Sequence, residues 1–271
     1  CDELLPFFEA EKVAFKVKIG EAKTWIFDAR KMLVVMEENY KNKGITMYAF
    51  TLERPASVAD AVRLATGGAK PLAGGQTMLA SMKLRLSDPG QLVDLGGVSD
   101  LAGIRREGNN LVIGAMTRHI DVANSAEVKA AIPGLAALAA NIGDKQVRAM
   151  GTLGGSVANN DPAACYPSAV LGLGATVHTT QRKIAADDFF LGMFTTALND
   201  GELITAISFP IPKKSVYMKF NQPASRFALV GVYVAQTDSG VRVAVTGAGS
   251  GVFRHAGLEA ALNSSFSVAS A

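Results

Sequence analysis

The sequence predicts an α+β fold with mixed strands, spread over more than one domain. Three observations carry this prediction. Apolar runs of strand length are interspersed with helical patterns, without the regular strand–helix alternation of a doubly wound parallel sheet. From about residue 175 onward the chain is rich in strand-like runs. A chain of 271 residues, 49 % hydrophobic and 19 % charged, has the balance of a globular protein long enough for two domains.

The first 46 residues differ in texture, with eight acidic and eight basic residues and the only Trp, Trp25. Val13, Phe15, Val17 and Ile19 alternate with Ala14, Lys16 and Lys18, the period-2 pattern of a strand. Residues 25–40 are richer in helix formers, and Asn42-Lys43-Gly44 reads as a turn. From Met47 the texture shifts to Ala, Gly and Val. A strand is expected at 48–52, then a helix capped by Ser57 with Val58, Ala61, Val62 and Ala65 on one face. A second helix is expected at 77–84, a strand at 92–95, and a hairpin joining 101–105 to 111–113 across Glu107-Gly108-Asn109-Asn110. Helices follow at 132–142 and 166–173. The remaining strands are expected at 175–179, 203–209, 216–220, 227–235 and 241–245, before a helix at 256–262. Pro210-Ile211-Pro212-Lys213-Lys214 marks a boundary, because two prolines and two lysines bracket one apolar residue.

Composition excludes several functions. Net charge is only +3 and the basic residues are scattered, so no nucleic-acid footprint is present. The two cysteines, Cys1 and Cys165, form no CxxC pair, which argues against a disulfide scaffold, a zinc site or a cysteine-ligated iron–sulfur cluster in this chain. His119, His178 and His255 lie far apart and read as ordinary surface or half-buried residues. No apolar run approaches the ~20 residues of a membrane span. The start, Cys1-Asp2-Glu3-Leu4-Leu5-Pro6, lacks the basic region of a signal peptide, so a cytoplasmic location is expected.

Two glycine-rich stretches carry the candidate chemistry. Ala73-Gly74-Gly75-Gln76-Thr77 lies between a short strand and a helix, where glycines admit a close-lying ligand and a helix start offers N–H groups to phosphate. A glycine pair here also suits a plain tight turn. Gly151-Thr152-Leu153-Gly154-Gly155-Ser156, followed by Asn159-Asn160-Asp161-Pro162, gathers three glycines, two hydroxyls and two amides. Such a set suits a diphosphate and a polyol chain, or a loop of Asx turns. About 75 residues apart, the two stretches together suit one long dinucleotide clamped between two lobes.

Other patterns fail. Gly68-Ala69-Lys70-Pro71 is no Walker A motif. Gly247-Ala248-Gly249-Ser250-Gly251 follows a strand but has Val252 where a Rossmann fingerprint needs its third glycine, and too little chain follows for a βαβ unit. It is read as a strand-to-helix turn. Ser250 does not fit a nucleophile elbow, and the pairs Asp187-Asp188 and Glu37-Glu38 are read as solvated surface.

From Met47 onward the chain resembles the FAD-binding medium subunit of molybdenum hydroxylases, most closely the medium subunit of aerobic carbon monoxide dehydrogenases and more distantly the flavin domain of xanthine dehydrogenase. The motifs that carry this are Ala73-Gly74-Gly75-Gln76-Thr77, the 151–162 stretch, Ile184-Ala185-Ala186-Asp187-Asp188-Phe189-Phe190, Gly201-Glu202-Leu203-Ile204 and Pro223-Ala224-Ser225-Arg226-Phe227. The resemblance implies a two-lobed FAD-binding domain at 47–211, split near 101, and a C-terminal α+β domain with a three-stranded sheet at 212–271, shorter than in the family. It leaves 1–46 as a separate segment without a counterpart. It assigns flavin contacts to Leu72, Ala73, Gly74, Gly75, Gln76, Thr77, Met78 and Leu79, to Thr152, Leu153, Gly154, Gly155 and Ser156, and to Asn159, Asn160 and Cys165. Leu198 and Lys219 are placed near the flavin ring. Relatives carry Asp at the position of Cys165, and a thiol is a poorer acceptor for a flavin hydroxyl, a difference worth ~1 kcal/mol.

In function the resemblance implies a subunit with no catalytic residues of its own. It would pass electrons from two [2Fe–2S] clusters on a small subunit through FAD to an external acceptor. A large subunit would carry the molybdopterin cofactor, in a dimer of heterotrimers. Two other readings stay open at this point: a flavin-free nucleotide-binding or assembly module, which the Cys165 departure suggests, and an NAD(P) oxidoreductase built on Gly247 to Gly251.

Overall fold

The computed structural model describes residues 47–267 and, as backbone, two strands ahead of them. These strands, β1 (Ala14–Ile19) and β2 (Lys23–Asp28), pair antiparallel with Ala14 opposite Asp28 and Ile19 opposite Lys23. The expected strand at 13–19 is thus present, but Trp25 lies in a strand rather than a helix. Period-2 pairing with β1 overrides the propensity of the segment. The remainder of the expected 25–40 helix lies outside the described residues.

The first described unit of the main chain is a small parallel sheet in the order β3 (Thr51–Glu53), β5 (Gln91–Asp94), β4 (Lys70–Leu72). Pro71 is tolerated because β4 is an edge strand. Helix α1 (Val58–Thr66) starts where expected: Ser57 is extended, and its side chain accepts from the Asp60 N–H. Its buried Ala61 and Ala65 pack with Val93, Leu95 and Leu101. Helix α2 (Met78–Lys83) follows the first glycine stretch.

The second unit is an antiparallel sheet in the order β6 (Ile104–Glu107), β7 (Asn110–Gly114), β12 (Ile204–Pro210), β8 (Thr176–Thr179), β9 (Lys183–Ala185). The predicted hairpin β6–β7 turns at Gly108, whose φ is +60°. Six short helices occupy 119–172: α3 (His119–Asn124), α4 (Ala126–Ala131), α5 (Pro133–Ala140), α6 (Lys145–Met150), α7 (Leu153–Asn159) and α8 (Tyr166–Gly172). Only α5 and α8 were expected. Ser125 and Asp144 cap α4 and α6 by accepting from Val128 and Val147 N–H groups. The 153–159 stretch, read as a loop from its glycines, is helical because Thr152 caps it and its glycines face crowded neighbours.

The third unit is the antiparallel sheet β13 (Lys214–Asn221), β14 (Ala228–Thr237), β15 (Gly240–Thr246) and the two-residue β16 (Phe253–Arg254), three long strands and a short fourth. Helix α10 (Ala256–Ser264) lies against β15. A short helix, α9 (Ala186–Phe189), precedes the β10–β11 hairpin (Phe190–Gly192, Thr195–Thr196). One buried cluster runs through the second and third units, joining Leu135, Ala169 and Ile207 to Tyr217, Tyr233 and Ala244. Gly247 leaves β15 at φ +83°, and β15 pairs antiparallel on both sides, so no Rossmann βαβ unit exists at Gly247–Gly251. Asp187 is not simple solvated surface: its carboxylate accepts from Arg242 at 2.8 Å and Arg254 at 3.2 Å, tying α9 to the third sheet. Among the described residues no helix is long and apolar enough to cross a membrane.

Candidate functional site

The two glycine stretches meet. A Cβ on Gly74 would fall on the Met150 carbonyl oxygen and within 2.7 Å of the Gly151 Cα. A Cβ on Gly155 would lie 3.4 Å from that of Ala73. Only the absence of side chains lets the β4–α2 turn lie directly on the α6–α7 junction. Gly75 turns the first stretch with φ +73°, a conformation that costs other residues roughly 1–2 kcal/mol.

The junction lines a cavity of about 660 Å³, inside the range of ~300–1,000 Å³ usual for ligand clefts. The two stretches offer different chemistry. Among the described residues, the N–H groups of Gly75, Gln76 and Thr77 find no acceptor in the chain. In the second stretch the Leu153 and Gly154 N–H groups donate to Thr117 and Ala115 carbonyls, and the Gly155 N–H donates to Thr152 Oγ1. The Thr152 hydroxyl accepts that bond and keeps its own proton to donate. One wall therefore supplies bare backbone donors, and the other supplies hydroxyls on a tightly packed helix start.

Of the residues singled out from sequence, Leu72, Ala73, Gly74, Gly75, Gln76, Thr77 and Met78 line the cavity, as do Thr152, Gly154, Gly155, Ser156, Asn159, Cys165, Leu198 and Lys219. Leu79, Leu153 and Asn160 do not. Leu79 packs over Gly75, and Leu153 is fully buried. Asn160, fully buried with φ +44°, ends α7, and its amide donates to the Gly192 and Thr195 carbonyls, each at 2.8 Å. It clamps the β10–β11 hairpin instead of facing the cavity.

Cys165 and Lys219 stand together at another part of the wall. The ammonium of Lys219 donates to the Asn141 and Arg226 carbonyls and lies 3.6 Å from Cys165 Sγ. Burial pushes the neighbouring Tyr217 phenol well above its ordinary range, with Cys165 adding to the effect. Thr246 Oγ1 donates to the Pro162 and Ala164 carbonyls, so strand β15 holds the 162–165 segment in place.

Sequence reasoning missed Ala115 and Met116, the 142–144 turn, and His119 as lining residues. The 225–227 segment was legible only as part of a motif without a role. His119 is not half-buried but 4 % exposed, and burial, with the charge of Arg148, pushes its imidazole down to about 4. His255 caps α10 by accepting from the Leu258 N–H.

These features fit a dinucleotide: unpaired amides and a cradle that any Cβ would fill suit a diphosphate, and the cavity is long enough to be lined by all three units.

Comparison with known proteins agrees with that geometry. The medium chain of carbon monoxide dehydrogenase from Afipia carboxidovorans is 40 % identical over 202 residues, covering 71 % of this chain and 70 % of the relative. The medium chain of glyceraldehyde dehydrogenase from Sulfolobus acidocaldarius is 37 % identical over 194 residues, covering 69 % of each. The structure of carbon monoxide dehydrogenase from Hydrogenophaga pseudoflava superposes with a TM-score of 0.78 at 34 % identity, covering 83 % of this chain and 84 % of that one. Residues 48–212, which hold both glycine stretches, match the family described as the FAD binding domain in molybdopterin dehydrogenase, and the chain is a member of that FAD-binding family.

Proposed function

We propose that this chain is the flavin-holding electron-transfer subunit of a molybdenum-dependent hydroxylase or dehydrogenase. It would receive electrons from two [2Fe–2S] clusters on a small subunit and deliver them to an external acceptor. A large subunit with a molybdopterin cofactor would oxidise the substrate, and the assembly would be a dimer of heterotrimers in the cytoplasm. The observation that carries this reading is the contact of Gly74 with Met150 and Gly151, which builds one cavity from both glycine stretches.

Bound FAD would supply reversible one- and two-electron redox chemistry. The protein's part is to hold and orient it. The amides of 75–77 and the hydroxyls of Thr152 and Ser156 are suited to the diphosphate and its linker. Leu198 and Lys219 line the wall assigned to the ring, and Cys165, beside Lys219, lines the part assigned to a flavin hydroxyl. Among the described residues no group of three or more His, Cys, Asp or Glu is placed to hold a metal ion, and this reading puts the iron–sulfur and molybdenum centres on partner chains. In this reading the parallel sheet and the five-stranded sheet would be the two lobes of a flavin domain at 47–211, divided near 101, and 212–271 would be the C-terminal domain, sharing one buried cluster with the second lobe.

The test is purification of the chain with whatever co-assembles. A flavin absorption spectrum, FAD released on denaturation, and two partner chains carrying iron and molybdenum are expected. A colourless protein that releases no FAD would leave the flavin-free module, and released nicotinamide nucleotide would refute the assignment.

A further inference from the structure

His119 begins α3 on the floor of the cavity, and three relations fix it there. Its backbone N–H donates to the Gly151 carbonyl at 2.9 Å. Its imidazole occupies the space a side chain at 151 would need, with Nε2 only 2.6 Å from where a Gly151 Cβ would stand. Its ring packs against Tyr166, centroids 5.3 Å apart and tilted by 48°. His119 and the Val147 carbonyl together leave no room for a side chain at Gly151, and it is the same residue on which Gly74 rests.

The imidazole is almost wholly out of water, yet neither ring nitrogen has a hydrogen-bond partner among the described residues. Nδ1 is completely enclosed and unpartnered. Nε2 forms no hydrogen bond either, and it is the nitrogen beside Gly151, which itself lines the cavity. Burial and the nearby Arg148 charge keep the ring neutral at physiological pH. A neutral imidazole carries one N–H, and an enclosed orphan N–H is rarer in proteins than an enclosed orphan acceptor. The proton is thus better placed on Nε2, beside the cavity, than on the enclosed Nδ1. A polar group held this way, nine-tenths buried and without a partner, costs stability unless something else satisfies it.

We propose that His119 is a ligand-binding residue, a neutral donor whose Nε2–H bonds an oxygen of the bound FAD beside the junction of the two glycine stretches. The inference rests on the reading of this cavity as the FAD site. It makes the 119–151 contact the third anchor of the diphosphate region, beside the bare amides of 75–77 and the Thr152 hydroxyl. A neutral donor suits that place because it binds an anionic oxygen without adding a buried charge.

The test uses the full chain stripped of flavin, with FAD affinity read from quenching of flavin fluorescence. His119→Leu removes the donor at similar volume, and His119→Gln returns an amide N–H near the Nε2 position. Weaker FAD binding by about 10- to 100-fold in His119→Leu, with most of it restored in His119→Gln at similar circular dichroism and Tm, is the expected result. Affinity equal to the parent in His119→Leu overturns the proposal. Equal weakening in both variants with equally lowered Tm also overturns it, because His119 then acts only as packing. If the parent itself binds no FAD while folded, the reading of the cavity has failed and this inference falls with it.

Discussion

The Nζ of Lys219 lies 3.6 Å from the Sγ of Cys165, and its other contacts are the carbonyls of Asn141 and Arg226. An ammonium has three protons to donate, and these three neighbours account for all of them. Lys219 thus joins the end of α5, the 162–165 segment and the 222–227 turn at one point. Introducing a carboxylate through Cys165→Asp gives the ammonium an ionic partner and the cavity a stronger acceptor. FAD affinity measured by titration should rise by about 5-fold, corresponding to ~1 kcal/mol. An unchanged or weaker affinity in a folded variant would show that position 165 does not meet the ligand. Lys219→Met, which hands two solvent-accessible carbonyls back to water, should lower stability by about 0.5–1.5 kcal/mol in denaturant titration.

Gly74→Ala should be the more damaging of the two changes in the first glycine stretch. Its methyl group collides with backbone at Met150, which has no rotamer to escape into. Gly75→Ala meets only the flexible Leu79 side chain and a backbone strain of roughly 1–2 kcal/mol. Flavin content per purified chain should be near zero for Gly74→Ala and partial for Gly75→Ala. Full occupancy in Gly74→Ala would refute the contact between the stretches.

Asn160→Ala separates a structural from a flavin-contacting role. Two part-buried hydrogen bonds from a fully buried side chain are lost, and the Gly192 and Thr195 carbonyls lose that donor. Stability should fall by about 2–4 kcal/mol. FAD affinity of the remaining folded protein should change less than 3-fold, a bound set by less than ~0.7 kcal/mol of lost contact. A large affinity loss at unchanged Tm would return Asn160 to the site.

Asp187 sets part of the acid limb of stability. Burial opposes its ionisation, but hydrogen bonds and charge from Arg242 and Arg254 outweigh burial and hold the carboxyl below its ordinary value of 3.8. A carboxyl lowered on folding stabilises fully above that ordinary value, and the contribution fades as pH falls through the folded one. Tm of the parent should therefore drop more steeply below about pH 4 than that of Asp187→Asn. Parallel Tm profiles for the two would show that the Arg242 and Arg254 pairs contribute nothing.

Much of this architecture was legible because local chemistry and tertiary structure agree. Ser57 caps a helix whose Ala61 and Ala65 are its buried face, and the turn at Gly108 needs the positive φ that glycine supplies. Legibility failed where distance decided. The glycines of 153–159 argue against a helix until Ala115 is seen to leave no room for a side chain on Gly154. Helices α3, α4 and α6 are six residues each, too short for an apolar period to register. Asp187 reads as solvent-facing because its partners Arg242 and Arg254 are 55 and 67 residues away. The site was visible through its glycines and hydroxyls. Its buried imidazole was not, since spacing alone carries no sign of burial.

The bond from Thr246 to the Pro162 carbonyl spans 84 residues. During synthesis the two glycine stretches leave the ribosome well before the strand that fixes the neighbouring wall. At ~5–20 residues per second, that interval is roughly 4–17 s. A nascent chain therefore exposes the phosphate-suited turn while Lys219 and Thr246 are still missing from the opposite side. The wall that carries Lys219 and is tied back by Thr246 is thus the last part of the cavity to be made, and the cavity is complete only once the final sheet has formed.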